Sequence, residues 1–420
     1  MKVLFFTTAC EPQMEVQRVH QEFLQAIQAR GGEVSILTTV GGESRGEPYR
    51  WEEVEGIPIC RFALRSGLAD EARNRLSRAL FHYDGFLTIL RRYRDYFRLW
   101  PAPDLVHVES AYPLGAVTAL ARRSVPIPYV ITVRGADLFN EPAARFGYAR
   151  YPLVRRLLRL AFRHAAAIRA TSRQTHELVC SYGAPPERVF LIPRNIRNDC
   201  FPQDLPAFRA AARAEVLERH GLPAGGRLVV AAGRLLPIKG FDLLLQALPS
   251  VLSAVPETWL LLCGGSRPDP VVGDYRAYLE RLAGEYGVRE RVIFTGEVPA
   301  GLFTRYLAAA DLVVVSSIRE GSNKVLLEAA ALGTPFVATE TSGTSDFFRN
   351  PPGGVEVPPG DVPALSAAMV DLLRNEGRRR LLGEQAARSS RRFHSEQVAE
   401  EMWRLYRRVL TQGKREGADF

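Results

Sequence analysis

Leu228-Val229-Val230-Ala231-Ala232-Gly233-Arg234-Leu235-Leu236-Pro237-Ile238-Lys239-Gly240-Phe241 reads as a strand, a turn and the start of a helix in succession. The apolar run Leu228–Ala232 predicts a buried strand, Gly233 ends it, and a helix begins near Phe241. In an open α/β sheet, ligands bind at such strand-to-helix turns. This turn brings two cations, Arg234 and Lys239, to a helix N-terminus, where charge, dipole and free N–H groups all favour a diphosphate. Two solvated basic residues on a loop are the plainer alternative. Gly233 and Gly240 weigh against it, since they permit a tight turn and close backbone approach.

A second turn of the same kind lies further along, Ser316-Ser317-Ile318-Arg319-Glu320-Gly321-Ser322-Asn323-Lys324-Val325-Leu326-Leu327-Glu328. The strand Leu312–Ser316 ends there, and Ser322 is the predicted N-cap of the next helix. Glu320 falls in the loop and Glu328 about one and a half turns into the helix, so both carboxylates can face one ligand. A pair of glutamates is weak evidence by itself. Glu328, however, sits in an otherwise apolar run to Leu332, where a carboxylate needs a partner, and ligand hydroxyls would supply one.

Working outward, short apolar runs alternate with amphipathic stretches over most of the chain. Lys2–Thr8, Glu33–Thr39, Asp104–Glu109, Pro128–Val133, Ala166–Thr171 and Val189–Ile192 form one series. Leu228–Ala232, Trp259–Cys263, Arg291–Thr295, Leu312–Ser316 and Pro335–Thr339 form another. Runs that are apolar throughout suit parallel strands covered by helices on both faces. The expectation is α/β: two doubly wound domains, spanning 1–196 and 227–394, with 197–226 as the linker region, since Arg197–Pro206 shows no clear periodicity. The last helix, Glu396–Thr411, is apolar through Val398, Trp403, Leu405, Tyr406 and Val409 and must dock on something.

Composition narrows the class. The chain has 420 residues, too many for one ordinary core, and a hydrophobic fraction of 46%. No stretch approaches the roughly 20 apolar residues of a spanning helix. Five widely spaced cysteines without a CxxC argue against disulfides or zinc and for a reducing compartment, so a cytoplasmic location is expected. The net charge of +9 attracts phosphates of any kind. Zinc spacing, RNA-binding aromatics and heptads are all missing, which excludes a nucleic-acid partner. Arginines among apolar residues in Leu87–Trp100 and Tyr151–Phe162 suit either sheet-covering helices or peripheral contact with an anionic membrane.

Taken together, Gly233–Phe241 and Glu320–Thr339 resemble the two signatures of glycosyltransferase family four, retaining enzymes of the GT-B fold. The second has the E-x7-E spacing followed by Gly333-Thr334-Pro335, and Arg291–Gly296 and Asn195 fall where the family has corresponding elements. The resemblance spans essentially the whole chain. It implies two Rossmann-like domains with a cleft between them and a C-terminal helix, 395–420, that returns to the N-terminal domain. It further implies a nucleotide-sugar donor, UDP- or GDP-linked, held by Gly233, Arg234, Lys239, Glu320 and Glu328. Main chain around Ser322, Asn323, Lys324, Val325 and Leu326 would touch sugar and phosphate, and Val298 the base. Arg234, Lys239 and Glu320 would act on the reacting bond. The acceptor, whether a carbohydrate, a lipid-linked intermediate or a small molecule, is not named by any motif. No D-x-D occurs, so no metal cofactor is expected, the basic residues replacing it.

Two departures from the family fall in the acceptor-facing half. The first loop reads Ala9-Cys10-Glu11-Pro12-Gln13-Met14 where the family commonly has Gly-Gly. Arg134, in Val133-Arg134-Gly135-Ala136-Asp137, stands where a histidine is common. Arginine cannot act as a base at neutral pH, so Arg134 is either an electrostatic group near the acceptor or half of a structural ion pair, with Asp137 a partner either way. His107, at a strand end beside Glu109, is an acceptor-side candidate or a core histidine. A nucleotide-sugar epimerase of the same fold and a non-catalytic nucleotide-sugar-binding protein are the rival readings. An oxidoreductase is excluded by the lack of a G-x-G-x-x-G opening a helix.

Overall fold

The computed structural model describes residues 1–8, 15–43, 48–65, 67–141, 146–266, 273–341, 343, 345–350 and 352–416. The Ala9–Met14 departure therefore lies outside the described residues. The chain divides into two compact units, Met1–Asn195 with Ser395–Phe420, and Ile196–His394.

The N-terminal unit holds β1 (Lys2–Thr7), β2 (Glu33–Glu43), β3 (Tyr49–Val54), β4 (Ile57–Arg65), β5 (Leu105–Val108), β6 (Tyr129–Val133), β7 (Ala167–Ala170) and β8 (Val189–Leu191). Their order is β3-β4-β2-β1-β5-β6-β7-β8, and every pair is parallel except β3 with β4. Strand periodicity sends Leu4 and Phe6 to one face and Val3 and Phe5 to the other, and both faces are buried. The helix Ser395–Glu416 closes the second face, burying Val398, Met402, Leu405, Tyr406 and Val409 with Phe23, Leu24 and Ile27. Arg30 ties it down through Glu400 at 2.9 Å.

The C-terminal unit holds β9 (Arg227–Ala232), β10 (Thr258–Cys263), β11 (Val292–Gly296), β12 (Leu312–Val315), β13 (Phe336–Thr339) and β14 (Gly354–Val357). The order β11-β10-β9-β12-β13-β14, wholly parallel, runs outward from β9 in one direction and from β12 in the other. The reversal between β9 and β12 is a topological switch point, where open α/β sheets bind ligands.

One expectation changes, and two elements and one open alternative are settled by the fold. The supposed linker 197–226 belongs to the C-terminal unit and carries a helix, Leu205–His220, capped by Asp204 and ended by Gly221. Its periodicity is faint because it buries only Ala212 and Val216, while Arg209 and Arg213 bind it to its neighbours through carbonyls. The hairpin β3–β4 and the edge strand β14 were not anticipated at all. Finally, the arginine-rich stretches form helices Phe86–Leu99 and Pro152–His164, whose buried residues, among them Ile89, Tyr93, Leu157 and Phe162, pack into the core. Among the described residues no helix is long and apolar enough to cross a membrane.

Candidate functional site

The two turns singled out in the sequence follow β9 and β12, the strands on either side of the switch point. Backbone hydrogen bonds clasp them together. Ile318 N–H donates to the Ile238 carbonyl at 2.9 Å, and Ser316 Oγ donates to the Lys239 carbonyl at 3.1 Å. The closeness depends on Gly240: at φ 63 it lies in the left-handed region, and a Cβ there would sit 2.2 Å from the Ser316 carbonyl oxygen. Gly233 N–H in turn donates to the Cys263 carbonyl at 2.9 Å, tying the first turn to the end of β10.

On this platform the charged residues meet. Lys239 Nζ is paired with Glu320 Oε1, both side chains mostly buried. Arg234, on the same loop as Lys239, is exposed. Glu328, 1% exposed, is paired through Oε1 with Lys324 Nζ at 3.2 Å, one turn earlier on the helix Lys324–Ala331. The burial that suggested ligand hydroxyls thus has an internal partner as well. The helix cap is Asn323, not Ser322: Asn323 Oδ1 accepts the Leu326 N–H at 3.0 Å. Asn fills the position because its planar amide oxygen reaches the third N–H as well as a serine does. Ser322 Oγ is buried and meets no hydrogen-bond partner among the described residues. Leu326 is fully buried, and Val325 and Val298 pack against the same core, so no free side chain of these three faces solvent as a polar contact. Cys263, at the end of β10, is a buried thiol pushed up to about 12 by desolvation and is no nucleophile.

The acceptor-side candidates gather in the N-terminal unit, at the ends of β5 and β6. Arg134 Nε donates to Glu109 Oε2 at 3.0 Å, and its Nη2 binds the same oxygen. The side chain of Arg134 pairs with Glu109 rather than with Asp137. Asp137 instead accepts backbone N–H groups from Ala111 at 2.7 Å, Gly135 at 2.9 Å and Arg134 at 3.3 Å. Burial pushes its carboxyl up against the pull of those bonds. His107 is a core residue, fully buried, with Nε2 2.6 Å from Thr132 Oγ1 and Nδ1 bonded to the Tyr406 hydroxyl. Its ring also lies 4.3 Å from Phe5, which leaves no face for a substrate. Sequence reasoning missed Glu109 and Tyr406 as the groups that hold this cluster. The E-S-A run after β5 was the signal for Glu109, but nothing local marks Tyr406, which is 299 residues from His107.

Comparison with known proteins fits this geometry. The family described as "Glycosyl transferases group 1" matches residues 212–389, and "Glycosyl transferase 4-like domain" matches 15–195. The chain is 32% identical over 282 residues to the GDP-mannose-dependent alpha-(1-6)-phosphatidylinositol monomannoside mannosyltransferase of Mycolicibacterium smegmatis, covering 65% of this chain and 68% of that one. A sucrose-phosphate synthase from Thermosynechococcus elongatus shares the fold, with TM-score 0.80 and 22% identity over 98% of this chain and 99% of its own. Anabaena HepE, solved in complex with UDP-glucose, is similar at TM-score 0.71 and 18% identity over 97% and 99%.

Proposed function

This chain belongs to the group 1 glycosyltransferases, and we propose that it draws its sugar from a UDP- or GDP-linked donor seated at the β9/β12 switch point. The observation that carries the reading is the clasped pair of turns, which pairs Lys239 with Glu320 and puts Arg234 on the same loop as Lys239 and Glu328 on the helix after the second turn. Arg234 and Lys239 hold the diphosphate and offset the negative charge that grows on it as the bond from the sugar carbon to phosphate oxygen breaks. Glu320, paired with Lys239, lies beside the reacting carbon, and Glu328 accepts from the ribose hydroxyls. The unpartnered Ser322 hydroxyl is a further donor contact. Transfer is retaining, as in the family the sequence resembles, and needs no metal because two side-chain cations stand where a divalent ion would act. The GDP-mannose and UDP-glucose in the names of its relatives support both bases as donors. Most apolar residues of the two arginine-rich helices pack into the core, with Leu99 and Leu153 left exposed, so these helices give no continuous apolar face to a membrane.

The test is a thermal-shift panel of nucleotide sugars on the full chain, followed by transfer from the stabilising donor with EDTA present. A donor at 100 times its Kd stabilises by about 2.7 kcal/mol. The expected outcome is one donor that stabilises, turnover that survives EDTA, and a product with the donor's anomeric configuration. A strict need for added Mg or Mn overturns the metal-free reading. Stabilisation by none of them overturns the donor site.

A further inference from the structure

At the other edge of the C-terminal sheet, where Arg227 opens β9, Asp311 precedes β12 and Pro335 leads into β13, lies a cavity of about 670 Å³. Five arginines line it: Arg209, Arg227, Arg379, Arg380 and Arg388. The carboxylates there do not balance them. Asp311 is shared among Arg213 at 2.8 Å, Arg227 at 3.4 Å and Arg379 at 3.8 Å, and it also accepts the Leu228 N–H. Glu376 and Glu384 lie exposed at the rim, Glu384 3.9 Å from Arg380. Arg209 donates instead to neutral acceptors, the Leu332 carbonyl at 2.7 Å, the Ala310 carbonyl at 3.2 Å and the Thr334 hydroxyl at 2.5 Å. Arg379, 6% exposed, is fixed by the Leu372 carbonyl at 2.7 Å and the Leu373 carbonyl at 2.5 Å. Carbonyl dipoles position a guanidinium without cancelling its charge. Burial accordingly pushes both Arg209 and Arg379 below the usual arginine range.

We propose that this cavity is a second anion site, taking a phosphorylated small metabolite and separate from the donor turns. Guanidiniums held in place by the backbone present their remaining N–H groups as forks suited to phosphate oxygens. The volume falls within the range of small-molecule pockets. Arg380 and Arg388, two turns apart on the helix Glu376–Ser390, supply exposed charge at the rim. The six residues of β9 separate this edge from Arg234 and Lys239 by about 20 Å, so one phosphate cannot serve both sites.

The experiment is calorimetric titration of the full chain with pyrophosphate, against potassium chloride at matched ionic strength. It is run in an Arg234→Ala/Lys239→Ala background so that the donor turn does not contribute. Pyrophosphate binding is expected to persist there. It should weaken by about tenfold or more with Arg380→Ala/Arg388→Ala added, and tighten with Glu384→Gln. Both arginines are exposed, so their truncation leaves the core intact, and Glu384→Gln tests the same site with the opposite sign. No binding beyond the chloride control in that background overturns the proposal, as does an affinity unchanged by all three rim substitutions.

Discussion

In the proposed donor site Arg234 and Lys239 would hold one anion from one loop, so their loss should show in turnover. Removing a charge-assisted contact to phosphate costs about 2–4 kcal/mol in the transition state. Arg234→Ala and Lys239→Ala are each expected to lower kcat/KM by tens to a thousandfold, with a urea midpoint near wild type for the exposed Arg234 and a lower one for Lys239→Ala, which takes a cation from the mostly buried Glu320. Near-normal turnover in both would remove the donor assignment. Gly240→Ala should behave differently. Its Cβ would meet the Ser316 carbonyl at 2.2 Å in a left-handed backbone, so the clasp must open. A loss of about 1–3 kcal/mol in stability, read from urea melts, with weakened donor binding, is the expected result. Both cations and both glutamates were legible in the sequence: Arg234, Lys239 and Glu320 lie in the loops just after short apolar strands, and Glu328 interrupts an apolar helical run. The cap was not: Ser322 and Asn323 are adjacent, both are good caps, and only the bond to Leu326 N–H separates them.

At the scale of elements, the last helix joins the N-terminal core although almost 200 residues of the other unit intervene in the chain. Its apolar spacing announced a docking face, and the buried Met402 lies in the middle of that face. Met402→Ala leaves a cavity there and should destabilise by about 2–5 kcal/mol, measured by denaturant unfolding. A change under about 0.5 kcal/mol would mean that the helix is not part of that core. The parallel strands were readable because both of their faces are apolar. Helix Leu205–His220 was not, since its apolar stripe, Leu205, Phe208, Ala212, Val216 and Leu217, is interrupted by Arg209 and Arg213, which bind neighbouring polar groups. The hairpin β3–β4 escaped for a related reason: β3, Tyr49–Val54, is an edge strand of mixed polarity whose residues are exposed or half-buried.

For the whole molecule, pH reports which groups folding has desolvated. Burial pushes His164 and His220 below 6.5, the ordinary histidine value. The unfolded chain therefore takes up these protons first, and stability falls as pH drops through about 6.5 toward the lower folded values. Glu400, held down by its hydrogen bond to Arg30, adds a second loss only in the carboxylate range. Urea midpoints should decline between about pH 7.5 and 5.5, less so in His220→Gln, and more steeply in acid. A midpoint flat down to pH 5.5 contradicts this. The α/β class, the tandem arrangement of two sheets and the charged residues around the turns after β9 and β12 were legible in the chain itself. Those follow from strand-length apolar runs and from charged residues a few positions beyond them, all local in the chain. Tertiary structure decided which strands are neighbours, and so that the two turns share one switch point and clasp each other. It also decided that Arg134 pairs with Glu109, that His107 is sealed under Tyr406, and that Asp311 sits amid too many arginines. Each of these depends on groups distant in sequence becoming close in space, which no spacing along the chain encodes.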